Sequence, residues 1–118
     1  LTPLENISFI LSLQGIAVTR EEVYQALADF GLEETRFSLC RELSEGQRKR
    51  VALCRLKLIK RPIWLLDEPY SALDEAGAKL LSRLCEQHLE SGGGLLMTSH
   101  QAIPISYSIH TLELQPCF

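Results

Sequence analysis

The run Ile63-Trp64-Leu65-Leu66, which stops abruptly at Asp67-Glu68-Pro69, constrains the fold more than any other stretch of this chain. Four successive apolar residues without polar alternation predict a short strand buried on both faces, as in a parallel sheet covered by helices. Pro62 breaks the helical pattern that leads up to it. A second apolar run, Leu95-Leu96-Met97-Thr98, follows Ser91-Gly92-Gly93-Gly94 and reads as another buried strand. Between the two, Asp74 is placed to cap a helix from Glu75 to about Glu90, with Ala76, Leu80, Leu81 and Leu84 turned inward. Strand, helix and strand in that order form a βαβ unit, which implies a parallel sheet. Thr111 to Leu114 reads as a weaker strand.

The first half is helical. Thr2-Pro3-Leu4-Glu5 carries a capping box with proline at the first helical position, and Leu4, Ile7, Ile10 and Leu11 follow at helical spacing. Gly15 ends that helix. Thr19-Arg20-Glu21-Glu22 is a second capping box, followed by the stripe Val23, Leu27 and Phe30 and the stop Gly31. Residues 32–42 read as a loop or short helical turn. Ser44 and Gln47 make a third box, which opens a helix to about Ile59.

A chain of 118 residues suits one domain, and a net charge of -3 gives no global pull toward nucleic acid or anionic membrane. The local basic run Arg48, Lys49, Arg50, Arg55, Lys57, Lys60 and Arg61 is either a solvated helix face or support for bound phosphate. Cys40, Cys54, Cys85 and Cys117 form no C-x-x-C pair and no zinc spacing with His88, His100 or His110, so they read as small hydrophobes in a reducing compartment. No apolar run approaches the roughly 20 residues needed to span a bilayer. The chain starts at Leu1 rather than Met, which fits a processed chain or a piece of a longer one.

Three places can carry chemistry. Ser44-Glu45-Gly46-Gln47 opens a helix, and helix starts present unpaired N–H groups to phosphate. Gly46 permits close approach, and the Ser44 hydroxyl can donate to a phosphate oxygen. The bland alternative is a plain helix cap. Asp67 and Glu68 end a strand, where ligands of α/β sheets bind, so one carboxylate can hold Mg²⁺ and the other can orient an attacking water. The alternative is a solvated acidic loop. His100 follows the second strand, and a parallel neighbour would place it beside Glu68.

Together these features resemble the nucleotide-binding domain of ABC transporters. Leu43 to Gln47 is similar to the family's signature segment, and Ile63 to Glu68 to its Walker B strand with the catalytic glutamate. Ser71-Ala72-Leu73-Asp74 is similar to the D-loop, and His100 to the switch histidine. Arg50-Val51-Ala52 and Arg55 also fall where the family places such residues. The resemblance runs from Leu4 to about Leu114. Leu1 to Asn6, Val51 to Leu56, Trp64 to Pro69, and Gly92-Gly93-Gly94 before Thr98-Ser99-His100-Gln101 look more narrowly like the haem-exporter ATPases of cytochrome c maturation.

The resemblance implies an incomplete α/β P-loop NTPase-like domain. Residues 1–61 would be a helical and signature subdomain, and residues 62–118 the part of the sheet core from Walker B to the switch histidine. It implies that Asp67 holds Mg²⁺ through water, Glu68 polarises the attacking water and His100 contacts the γ-phosphate. Ser44, Gly46 and Gln47 would contact ATP held by a second nucleotide-binding subunit, and Asp74 would join the sites across that homodimer. Transmembrane transporter subunits, and no nucleic acid, are the remaining implied partners. The implied location is peripheral, on the cytoplasmic face of the inner membrane.

The chain departs from the family in two ways. It has no Gly-x-x-x-x-Gly-Lys-Ser/Thr loop, and Glu45 stands where the family has a small residue. ATP and Mg²⁺ are therefore expected to bind only together with the missing amino-terminal half, and the chain alone is expected to be inactive. An unfinished sheet is also expected to leave bare edges and an apolar face. The competing functions are a non-catalytic split or degenerate half acting as a partner module, and a soluble ABC-type ATPase acting on nucleic acid.

Overall fold

The computed structural model describes residues 1–107 and 110, so the strand expected at Thr111 to Leu114 lies outside the described residues. Helix α1 (Pro3–Leu13) starts where its capping box closes. Thr2 Oγ1 accepts the Glu5 N–H at 3.2 Å, and Glu5 accepts the Thr2 N–H at 2.8 Å. Helix α2 (Arg20–Asp29) is capped by Thr19, which accepts the Glu22 N–H at 3.1 Å. The expected return bond from the Glu22 side chain is absent among the described residues, so this box is only half formed. Glu22 is exposed, and its carboxylate gains little by leaving water. Two single 3₁₀ turns, Glu33–Thr35 and Cys40–Glu42, fill the stretch expected to be a loop or short turn.

Helix α3 (Glu45–Leu58) leads to strand β1 (Ile63–Asp67), then helix α4 (Glu75–Glu90) and strand β2 (Gly94–Thr98). The strands pair in parallel, with Leu65 opposite Leu96 and Asp67 opposite Thr98. This is the βαβ unit expected. Helices α1, α2 and α3 pack on one another, and α4 packs on both α3 and β2. Ile7, Leu11, Val23, Leu27, Cys54 and Leu81 are fully buried members of one continuous apolar cluster that joins helices to sheet.

Two sequence expectations need correction. Strand β1 is not covered on both faces. Trp64 points into the core, but Ile63 is 65% exposed, Leu65 73% and its neighbour Leu96 64%. Burying both faces of a parallel sheet takes helices on both sides, and no described helix lies over this one. The bare apolar face expected of an unfinished sheet is therefore present. On α4, Ala76 is exposed, and the inward stripe is Gly77, Leu81, Leu84 and Cys85. Leu81 comes four residues after Gly77, and Leu84 and Cys85 come three and four after Leu81, which follows the helical period, and Ala76 falls beside that stripe.

One imidazole ties the sheet layer together. The His88 ring of α4 stacks on Trp64 of β1, with centroids 3.7 Å apart and planes 5° from parallel. Its Nε2 lies 3.1 Å from the Gly94 carbonyl at the start of β2. A Cβ at position 93 would collide with the ring, so the chain passes His88 on glycine.

Cys54 and Cys85 behave as core residues, Cys40 is only partly buried, and Cys117 lies outside the described residues. Burial pushes the Cys54 and Cys85 thiols up to about 12, and the Cys54 Sγ–H donates to the Ala26 carbonyl at 3.4 Å. At neutral pH both thiols lack thiolate, the reactive form. Iodoacetamide followed by peptide mass mapping should label half-exposed Cys40 at least about tenfold faster than either. The difference should vanish in denaturant, and equal rates in the native protein would contradict this core.

Candidate active site

The apolar residues of β1 end at the sheet's carboxyl edge, and the acidic pair follows there. The neighbouring strand fixes both members. Thr98 Oγ1 donates to Asp67 Oδ1 at 2.5 Å and accepts the Glu68 N–H at 2.9 Å. The Glu68 N–H also lies 3.2 Å from the Thr98 carbonyl. One hydroxyl thus orients both carboxylate residues. The chain then turns sharply, with Glu68 at φ +46° and Ala72 at φ +63°, a region that residues with a Cβ rarely occupy. Such backbone persists only where its surroundings hold it, and it clusters at functional sites.

His100 stands beside Glu68 as the parallel register requires. Its Nε2 lies 3.1 Å from Glu68 Oε1; the imidazole is 95% exposed and the carboxylate side chain 34%. Asp67, Glu68 and His100 therefore meet at one open edge of the sheet. No group of three or more metal-ligating side chains occurs among the described residues. A single strand-end carboxylate nevertheless fits Mg²⁺, which keeps several waters and draws other ligands from phosphate.

The start of α3 is built as expected. Ser44 Oγ accepts the Gln47 N–H at 3.1 Å, and Gln47 Oε1 accepts the Ser44 N–H at 3.0 Å. Leu43 is buried and anchors the turn. Glu45 is exposed at the first helical position. Among the described residues, no hydrogen bond or ion pair joins Ser44 or Gln47 to Asp67, Glu68 or His100. Gly46 lies against the turn after β1, where a Cβ would come within 3.2 Å of the Ala72 carbonyl oxygen. Its first close neighbour is thus the chain's own backbone.

Asp74 caps α4 by accepting the Gly77 N–H at 2.7 Å, and it pairs with Arg50 Nη2 at 2.7 Å. The Gly77 N–H and then the Arg50 guanidinium hold its carboxyl below the usual carboxylate range. That contribution is complete above the unfolded carboxylate value and is lost only as pH falls through the lowered folded one. The Asp74 cap is therefore expected to fail in acid and to be constant near neutral pH.

Several contributors escaped the sequence expectations. Thr98 is marked only by its register with Asp67, which no linear pattern displays. Five of the seven residues of the basic run are engaged by the chain's own groups, while Lys60 and Arg61 are exposed. Arg48 donates to the Leu43 carbonyl, Lys49 to the Glu68 carbonyl, Arg50 to Phe30 and Asp74, and Arg55 to Asn6, while Lys57 pairs with Asp29. Tyr70, buried next to Pro69, shares a 2.7 Å hydrogen bond with Ser82 of α4 and so pins the turn from below.

Comparison with known proteins follows the same lines. Residues 1–71 match the family model described as ABC transporter. The chain is 43% identical over 114 residues to the cytochrome c biogenesis ATP-binding export protein CcmA of Methylococcus capsulatus, covering 97% of this chain and 55% of that one. It is 42% identical to the protein of the same name from Cupriavidus necator, covering 88% and 46%. Among solved structures it is similar to the ATP-binding cassette MJ0796, seen as a dimer in a post-hydrolysis state with ADP and Pi. The TM-score is 0.74 at 28% identity, over 86% of this chain and 47% of that one. The chain spans about half the length of the curated relatives it matches.

Proposed function

Because this chain belongs to the ABC transporter family of ATP-binding proteins, in its CcmA-type branch, we propose that it forms part of the ATPase subunit of a haem exporter for cytochrome c maturation. The observation that carries the catalytic reading is the Glu68–His100 pair, 3.1 Å apart at the strand end where Thr98 fixes Asp67.

Glu68 accepts a hydrogen bond from the attacking water and polarises it. His100, exposed and adjacent, contacts the γ-phosphate and holds the Glu68 carboxylate in place. Asp67 is the residue to hold Mg²⁺ through water, and the ion neutralises phosphate charge when bound with the nucleotide. Ser44, Gly46 and Gln47 present the start of α3 to ATP bound by a second nucleotide-binding subunit, and Asp74 lies at that interface. On this reading residues 1–61 form the helical and signature part, and residues 62–118 continue the sheet core. Transmembrane subunits are the transport partners, and the subunit sits on the cytoplasmic face of the inner membrane. No helix among the described residues is long and apolar enough to cross a membrane.

Without the phosphate loop and its lysine, the β- and γ-phosphates lack their main positive partners. The purified chain is therefore expected to show no MgATP turnover, and the complete domain containing it to hydrolyse MgATP. Phosphate release measured on both decides the point, and turnover by the chain alone would overturn this account. Haem export is tested separately. The complete protein should restore haem-stained c-type cytochromes to a bacterium lacking its own maturation ATPase, whereas restored ATPase activity without cytochrome c would reject that pathway.

A further inference from the structure

Lys49 lies on α3 just beyond the capped turn that begins at Ser44, and its ammonium reaches another element. Lys49 Nζ donates to the Glu68 carbonyl oxygen at 2.8 Å, a link between residues 19 apart in sequence. The same oxygen accepts the Ser71 N–H at 3.2 Å. Glu68 is thus held on three sides: its N–H by Thr98, its carbonyl by Lys49 and Ser71, and its carboxylate by His100. Its φ of +46° is a conformation a glutamate keeps only when its surroundings over-determine it. Of these contacts, the Lys49 bond is the charge-assisted one to the backbone, and such bonds are the shorter and stronger kind.

The next residue on α3 grips the other end of the same turn. Arg50 Nη2 pairs with Asp74 Oδ1 at 2.7 Å, and Gly46 packs against Ala72 between the two grips. Helix α3 therefore holds the 68–74 turn at both ends and in the middle.

We propose that Lys49 is a positioning residue for Glu68: by holding its carbonyl it fixes the left-handed turn and thereby the direction of the carboxylate. This rests on the reading of Glu68 as the group that polarises water. It adds a connection from the helix whose start faces the partner subunit's nucleotide to the carboxylate of its own subunit. A displacement of α3 by an ångström moves Glu68 with it, and misplacements of that size cost catalysis far more than binding.

The test uses the complete ATP-binding domain containing this chain, with steady-state MgATP hydrolysis of Lys49→Met, Lys49→Arg and Glu68→Gln. Lys49→Met should lower kcat by about tenfold or more with KM for MgATP within about twofold. Lys49→Arg, which keeps a charged donor, should retain at least about half of the parent kcat. Parental kcat in Lys49→Met overturns the proposal, and so does a rise in KM matching the loss of kcat or an equal loss in Lys49→Arg. If Lys49→Met does not fold, Lys49→Ala with added propylammonium replaces it. Recovery of kcat by the amine supports the contact, and equal rates with and without amine reject it. Turnover retained by Glu68→Gln would sink the reading beneath the proposal. An inactive Glu68→Gln beside an unaffected Lys49→Met would sink the proposal alone.

Discussion

Replacing Glu68 with glutamine in the complete ATP-binding domain is expected to lower kcat by about 10²–10⁴-fold while leaving MgATP affinity within about threefold. Glutamine keeps the size of the side chain and one oxygen to accept a bond from His100, but it loses the charge that polarises water. The folded state should barely notice. The Glu68–His100 contact is open, with the imidazole 95% exposed, and exposed pairs of this kind contribute little to stability. Single-turnover phosphate release and nucleotide titration, run side by side with thermal melting, separate the possibilities. Lost turnover with retained binding and an unchanged melting temperature assigns Glu68 to the chemical step. Retained turnover removes it from that role.

Truncating Leu81 to alanine should produce the largest loss of stability. Leu81 is fully buried on α4, in the cluster that joins helices to sheet. Removing a buried leucine side chain costs about 2–5 kcal/mol, the transfer term plus the cavity left behind. A domain's whole stability is about 5–15 kcal/mol, so this one change endangers the fold. Leu80, next in sequence but only partly buried, is the natural control and should cost less. Urea unfolding of both variants gives the comparison. A loss below about 1 kcal/mol for Leu81→Ala would mean that α4 is not seated on the sheet as described.

Local rules made most of the architecture legible in the sequence. Capping boxes at Thr2 and Ser44 marked helix starts because the bonds they make span three residues. Pro62 and the glycines at 92–94 marked the breaks on either side of β1 and α4. Length and composition of the two apolar runs were enough for a parallel βαβ unit, and that register alone brought His100 to Glu68. The failures have one physical source. Whether both faces of β1 are covered depends on what packs over the sheet, and the residues of β1 do not record it. Thr98, Lys49 and Tyr70 likewise act across 31, 19 and 12 residues of sequence. Their side chains carry no local periodicity to betray the contact. The basic run stayed open between a solvated face and phosphate support because charge pattern reveals sign and not destination.

The stacked pair of Trp64 and His88 makes this chain optically simple. Trp64 is its single tryptophan, so the indole emission comes from one place, the joint of β1 and α4. Far-ultraviolet circular dichroism, in contrast, is dominated by the helices, most of whose residues lie before β1. The two signals therefore watch different layers of one molecule. Coincident midpoints in denaturant would mean that the helical layer and the unfinished sheet melt as a single cooperative unit. A fluorescence change at lower denaturant would mean that the bare sheet opens first and leaves the helices standing.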